Sequence, residues 1–148
     1  MLQEMTGSGR GGAVHRAVRL LNRLGPAGGT VMVAGDATGL DRRFAVRTAH
    51  PAAVEETLES LEDGALTGVV LPRFSAGDAR LHRLVSLLGH KLEPDGIAVA
   101  SLRHYRRGQI RRDVDGLARR CGLETRFLTR LWPPASFVLI QAVRWEIF

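Results

Sequence analysis

The sequence predicts an α/β fold of three layers, in which helices cover both faces of a largely parallel sheet. Segments with helical periodicity alternate with short apolar segments that are typical of strands, the arrangement of βα units. One strand pattern ends in Val69-Val70-Leu71, as expected for a strand that is covered on both faces. A further helix, the turn Pro94-Asp95-Gly96 and an apolar strand around Ile97 and Val99 follow in order.

The first half of the chain contains two predicted helices and three predicted strands. Residues 1–12 are rich in Gly, so we expect a flexible tail before a single domain at 13–148. Gly25-Pro26 ends the first helix, and Pro51 suits the first turn of the second. The expected elements are a helix at 13–24, strands at 30–34 and 43–48, a helix at 51–62 and a strand at 66–71.

The second half of the chain continues the same alternation. Apolar residues in the helix near 78–90 recur at helical spacing and predict one buried face: Leu81, Leu84, Val85 and Leu88. In the turn Pro94-Asp95-Gly96, the glycine is the residue that tolerates positive φ. Cys121 lies on the apolar face of the helix at 111–121, where we expect a core residue rather than a nucleophile. Strands at 123–131 and 136–145 form a closing pair.

Composition excludes several classes of protein. The chain has 148 residues, enough for one domain with its own core. It holds no apolar run long enough to span a bilayer, so no membrane partner is expected. The N-terminus lacks the apolar region of a signal peptide, and Cys121 is the only cysteine. We therefore expect a cytoplasmic protein without an intrachain disulfide.

The positive charge is concentrated in one segment. The net charge is +6, and Lys91 is the single lysine. Residues 101–130 contain nine Arg and three acids, whereas the rest of the chain balances twelve basic against twelve acidic residues. This segment is the predicted contact for an anionic group.

Several segments resemble, in order, the motifs of one protein family. Val31–Gly39 is similar to V-L-D-h-G-x-G-x-G, where h is apolar, with matches at both outer glycines. Thr48–Pro51 resembles D-x-S-P, and Asp63–Val70 resembles D-G-S-F-D-h-V-h. His90–Ser101 resembles R-V-L-K-P-G-G followed by an apolar strand, and Gly116–Leu123 resembles a helix with A-G-F. These motifs belong to class I S-adenosylmethionine-dependent methyltransferases, so the resemblance implies their Rossmann-like fold and a cofactor site after the first strand.

The departures from this family fall where the cofactor would bind. Val33 replaces the acid of the first strand, Ala37 the middle glycine, and Thr48 the acid that would bind the ribose hydroxyls. Only eight residues separate Gly39 from Thr48, which leaves no room for the helix after the glycine-rich loop. No segment of the sequence corresponds to the third strand of the family's sheet. We therefore expect a truncated methyltransferase-type sheet without a tightly bound cofactor, and S-adenosylmethionine is the cofactor that the resemblance leaves open.

Four residues remain as candidates for the degenerate cofactor site: Gly35, Asp36, Gly39 and Thr48. Asp36 has two interpretations. It replaces a lost cofactor contact, or it is an exposed turn residue whose side chain binds its own backbone, which we favour. No histidine or cysteine pair has the spacing of metal ligands, so no metal is expected.

A second constellation follows the predicted fifth strand of the family. Arg103, Arg106 and Arg107 are candidates for binding a substrate or an anion, and His104 and Tyr105 are weak candidates for catalysis. Ligands of open α/β sheets bind at this carboxyl edge. The alternative is a solvated loop in an Arg-rich protein.

Three functions are compatible with these patterns. The leading hypothesis is a non-catalytic or auxiliary methyltransferase-like protein that assembles with itself or with a catalytic partner. The second is a small-molecule tailoring enzyme of secondary metabolism, either a methyltransferase or a repurposed cyclase-type enzyme. The third, an RNA- or phosphate-binding module, is less favoured.

The missing elements also predict assembly. We expect the helices at 13–24 and 51–62 on one face of the sheet, and those at 78–90 and 111–121 on the other. Without the helix after Gly39, the strands at 30–34 and 43–48 lose part of their cover, and without the third strand the strand at 43–48 becomes an edge. Either the N-terminal segment folds over this gap or another chain fills it, which we favour. A twofold homodimer is the simplest such assembly.

Overall fold

The computed structural model describes residues 14–71, 74–75, 79–103, 116–131 and 135–142, which form one sheet with helices on both faces. Its first elements are helix α1 (residues 14–24), strands β1 (Gly29–Ala34) and β2 (Phe44–Ala49), a 3-10 turn (Pro51–Ala53) and helix α2 (Val54–Glu59). They are followed by β3 (Leu66–Val70), β4 (Phe74–Ser75), α3 (Arg80–Lys91), β5 (Leu92–Arg103), α4 (Gly116–Arg120), β6 (Leu123–Leu131) and β7 (Ala135–Ala142).

The sheet is parallel on one side and antiparallel on the other. Its strand order is β2-β1-β3-β5-β7-β6, and the short β4 pairs with the end of β5. Strands β2, β1, β3 and β5 are parallel, whereas β7 is antiparallel to both β5 and β6. The predicted α/β class and the closing pair of strands are confirmed. Of the helix expected at 111–121, residues 111–115 lie outside the described part.

The truncation is confirmed in two fully described connections. Between β1 and β2, residues 35–43 form only turns, closed by Leu40 N–H donating to Ala37 O and Phe44 N–H donating to Asp41 O. Between β2 and β3, residues 50–65 contain the 3-10 turn and α2 but no strand. Among the described strands, β2 is therefore an edge.

Each face of the sheet has its own core. Helices α2, α3 and α4 pack on one face, against Met32, Val69 and Ala98. The face predicted for α3 is confirmed, since Leu81, Leu84, Val85 and Leu88 are all buried. Helix α1 packs on the other face through Ala17, Val18 and Leu21.

The expected distribution of helices over the two faces is wrong in one respect. Helix α2, expected beside α1, lies on the opposite face with α3. The chain moves in the same direction across the sheet from β2 to β3 and from β3 to β5. Because parallel crossovers are right-handed, two crossovers in one direction place their helices on the same face.

The predicted loss of cover is also confined to one strand. Val31 and Val33 of β1 are fully buried under α1, so this strand keeps its cover. In β2, Phe44 and Ala49 are buried but the four residues between them are exposed, and Val46 is 52% exposed. A single helix therefore covers β1 but does not reach the middle of the edge strand.

The turn at Pro94-Asp95-Gly96 uses its residues differently from the prediction. Positive φ occurs at Asp95 (68°) and not at Gly96. A side chain at Gly96 would place its β-carbon 2.8 Å from Glu93 O, so the glycine is needed for close approach of the backbone. The turn is a bulge inside β5, where the pairing passes from Leu66↔Leu92 to Gly68↔Ile97.

Candidate functional site

The glycine-rich loop, residues 35–43, lies at the carboxyl end of β1. In open α/β sheets this is the edge at which ligands bind. Gly35 has φ 131° and Gly39 has φ 90°, conformations that residues with a β-carbon rarely adopt. The two glycines therefore set the path of the loop as it leaves the sheet.

Asp36 stabilises the turn that follows Gly35. Its Oδ1 accepts hydrogen bonds from Thr38 N–H at 2.9 Å and from the Thr38 hydroxyl at 2.5 Å. These bonds, with a smaller contribution from His15, lower the pKa of the Asp36 carboxyl. The geometry agrees with the turn interpretation, because the carboxylate is engaged by its own loop.

Helix α1 lies directly against both glycines. The methyl groups of Val14 are 3.7 Å from the position of a β-carbon on Gly35, and the His15 ring is 3.5 Å from that on Gly39. A methyl group on either glycine would therefore meet α1 at an ordinary van der Waals distance. The N-terminal turn of α1 lies beside the loop.

Asn22 of α1 holds the other end of the loop. Its Nδ2 donates to Gly39 O at 2.8 Å, and its Oδ1 accepts from Asp41 N–H at 2.8 Å. Both functions of one amide side chain are therefore used on one loop. These two hydrogen bonds fix the loop to α1, although no helix follows the loop in the sequence.

Arg43 completes the attachment of the loop. Its Nη2 donates to Asn22 O at 2.6 Å, its Nε to Pro26 O at 3.0 Å, and its Nη1 to the Asp41 carboxylate at 2.9 Å. The guanidinium also lies 4.3 Å from the centre of the Phe44 ring. Sequence reasoning missed Asn22 and Arg43 as loop residues, because contacts between positions 17 to 21 residues apart leave no local pattern.

Val33 and Thr48, the two positions at which the family has acids, lie in different environments. Val33 is fully buried in the core beneath α1. Thr48 is its register partner on β2 and is exposed. Neither position offers a carboxylate, Thr48 stands where the family binds the ribose hydroxyls, and Val33 belongs to the apolar core.

The second predicted constellation is only partly described. Arg103 ends β5, at the same carboxyl edge of the sheet as the glycine-rich loop. His104, Tyr105, Arg106 and Arg107 lie outside the described residues. Within the described ranges, no group of three or more side chains could hold a metal ion.

Two further expectations concern single features. Cys121 is half-buried and packs against the core formed with α3, in agreement with a core role. Over the part of the chain that the structure describes, no helix is long and apolar enough to cross a membrane.

Known structures share this arrangement of strands and helices. The chain is similar to the CurJ carbon methyltransferase, with 12% identity and a TM-score of 0.51 over 84% of this chain and 51% of that chain. It thus spans about half the length of CurJ. An rRNA methylase from Streptococcus thermophilus has 11% identity and a TM-score of 0.56, with 89% of this chain and 97% of that chain covered.

A third similar structure is a complex between the Haloferax volcanii Trm112 methyltransferase activator and a candidate methyltransferase. Its identity is 9% and its TM-score 0.56, over 99% of this chain and 95% of that chain. No family model and no curated protein matches the sequence. Likeness at such low identity establishes the fold alone, and the sheet order, the loop after β1 and these neighbours agree on it. The chain has a shortened class I S-adenosylmethionine-dependent methyltransferase-like fold.

Proposed function

We propose that this protein is an auxiliary, non-catalytic methyltransferase-like subunit that acts through assembly with another chain. One observation carries the proposal. The loop that would receive the cofactor is tied to α1, with Val14 and His15 beside the two glycines and Asn22 holding the loop to the helix. A ligand at the two glycines would have to share this space with the N-terminal turn of α1.

The missing acids support the same conclusion. A charge-assisted hydrogen bond contributes about 1.5–3 kcal/mol, so the loss of two carboxylates would weaken cofactor binding by orders of magnitude. An acid at Val33 would be buried in an apolar core without a partner, at a high energetic cost. The site therefore differs from a cofactor site in charge and in packing.

Calorimetric titration with S-adenosylmethionine tests the proposal. We expect no binding at submillimolar cofactor for the natural protein or for Thr48→Asp, which restores the exposed ribose acid. Thr48→Asn is the matched control, since it has the same shape without the charge. Micromolar binding by the natural protein would contradict the proposal and favour the enzyme hypothesis. Micromolar binding by Thr48→Asp alone would show that the closed loop does not exclude the cofactor.

The structural neighbours are compatible with a role in assembly. One of them comes from a complex of a methyltransferase activator with a candidate methyltransferase. For this chain we propose a protein partner because β2 is an exposed edge among the described strands and the cofactor loop lacks the acids of the family. Self-assembly to a homodimer is the alternative form of this proposal.

A further inference from the structure

Strand β2 has the properties of an edge strand that could pair with a further strand. It is the outer strand of the described sheet, and its residues 45–48 are exposed. In a parallel pair, each strand directs alternate N–H and C=O groups to the opposite side. The outward-directed groups of β2 therefore have no strand partner among the described residues, and Val46, 52% exposed, lies beside them.

The segment that contains α1 and β2 is strongly basic. Residues 14–50 contain six Arg and two acids. Both acids are engaged, Asp36 by Thr38 and Asp41 by Arg43. The remaining five arginines are exposed and have no hydrogen bond or ion pair with a described residue: Arg16, Arg19, Arg23, Arg42 and Arg47.

Most of the acids in the next segment of the chain are paired with α3. Residues 51–65 contain five acids and no Lys or Arg. Three of them are bound to α3: Glu55 to Arg80, Glu59 to Arg83, and Asp63 to Lys91. None of these three ion pairs involves an arginine of α1 or β2, so those arginines have no acidic partner among the described residues.

The two faces of β2 differ in the side chains that they would favour on an added strand. Val46 pairs in register with Val31, on the face that α1 covers, and Arg47 pairs with Met32, on the opposite face. A strand added at this edge would place successive side chains alternately beside Val46 and beside Arg47. An apolar residue suits the first position and a carboxylate the second.

We propose that the β2 edge binds an extended segment of another protein in which apolar and acidic residues alternate, as an added strand. Main-chain hydrogen bonds would supply affinity, and the alternation of side chains would supply specificity. This inference rests on the proposed assembly role and names the chemistry of the partner.

A second copy of this chain is a poorer occupant of the edge. Pairing β2 with its own copy would bring Arg47 of both copies to one seam, and residues 44–49 contribute no acid. Like charges on neighbouring strands are destabilising. A strand with acidic residues would avoid the repulsion between arginines and would form ion pairs with them.

The test uses a fluorescein-labelled peptide of about twelve residues with alternating Val and Glu, followed by fluorescence anisotropy. Alternating Val and Lys gives the charge control, and a central proline in the Val-Glu peptide gives the pairing control. We expect the Val-Glu peptide to bind and to protect amides of 44–49 from hydrogen exchange. Equal binding of the proline peptide would overturn the added strand.

Charge reversal sharpens the test. Arg47→Glu should weaken binding of the Val-Glu peptide about tenfold and reverse the preference between the two peptides. Arg23→Glu makes the same charge change on α1, outside β2, and should leave the preference for the Val-Glu peptide intact. Equal loss in both variants would mean that only net charge matters. Circular dichroism verifies that each variant is folded.

Two other results would also overturn the proposal. One is a homodimer by light scattering in which 44–49 is already protected without peptide, since a second copy would then occupy the edge. The other is a single-stranded oligouridylate that displaces the peptide while leaving 44–49 unprotected. Neither bears on cofactor binding, so a failure here is distinguishable from a failure of the proposed function.

Discussion

Arg43 links three separate parts of the chain around the glycine-rich loop. It caps the end of α1 through Asn22 O and Pro26 O, and it neutralises Asp41. A loop without a following helix needs such external contacts, because its own backbone forms only two turn hydrogen bonds. At the scale of the residue, the contacts of one arginine hold a loop that has no helix after it to stabilise it.

Arg43→Ala should therefore destabilise the protein. The guanidinium is partly buried, and its loss leaves carbonyls of the α1 terminus unsatisfied, so we expect a loss of about 1–3 kcal/mol in the free energy of unfolding. Arg42→Ala is the control, since Arg42 is exposed and should change stability by less than about 0.5 kcal/mol. Urea denaturation measures both. An equal effect in the two variants would contradict the role of Arg43.

Lys91 shows a similar use of a single residue. It is the only lysine, its side chain is nearly buried, and its ammonium group donates to Leu61 O at 2.6 Å and to the Asp63 carboxylate at 3.0 Å. The hydrogen bond and charge of Lys91 lower the pKa of Asp63. The end of α3 is thus fixed to the connection between α2 and β3. The sequence revealed the residue but not its contacts, since 28 to 30 residues separate the partners.

At the scale of elements, helices α3 and α4 meet at a glycine. A β-carbon on Gly89 would lie 2.4 Å from Cys121 O, which is far inside van der Waals contact. The close approach lets the short α4 bury Ala118 against the core beside α3. The helical pattern of residues 80–91 predicted the buried face but gave no sign that Gly89 is a contact point.

Gly89→Ala should separate the two helices. We expect a loss of about 1–3 kcal/mol in the free energy of unfolding, because a backbone carbonyl must move. Gly116→Ala in α4 is the control. No described atom lies within 4 Å of its added carbon, so it should be neutral or stabilising by up to about 1 kcal/mol. Thermal unfolding of the two variants compares them. If Gly89→Ala were as stable as the control, the close packing would be wrong.

At the scale of the whole molecule, shortening has unequal consequences across the sheet. The strands β1 and β3 are buried between neighbours on both sides, and their apolar side chains are fully covered. Among the described strands, β2 has a neighbour on one side only, and the middle of the strand is exposed on both faces. The molecule is therefore well packed at its centre and open at one edge.

Hydrogen exchange should reproduce this difference. In the isolated protein, outward-directed amides of β2 should exchange roughly a hundredfold or more faster than amides of β1 and β3, because they have no strand partner among the described residues. Mass spectrometry of peptides covering 44–49 and 29–34 measures it. Slow exchange of β2 in a monomer would mean that the chain covers its own edge, and slow exchange in a dimer that a second copy does.

The sequence by itself determined the class of the fold and its truncation. The fold class follows from the spacing of apolar residues, which is a local pattern. The truncation follows from the eight residues between Gly39 and Thr48, which can be counted in the sequence. Asp36 was also predictable as a turn residue, because its partner Thr38 is two positions away. The predicted acid, glycine and acid replacements required only an ordered comparison with family motifs.

Only the tertiary structure decided which face each helix covers and what closes the glycine-rich loop. The position of α2 depends on strand order and crossover handedness, which no local pattern contains. The contacts of Val14, Asn22 and Arg43 with the loop join distant parts of the chain, and the charge segregation at β2 becomes visible only when the partners of each acid are known. Contacts of this kind arise from packing, and a linear sequence records the residues without recording which of them meet.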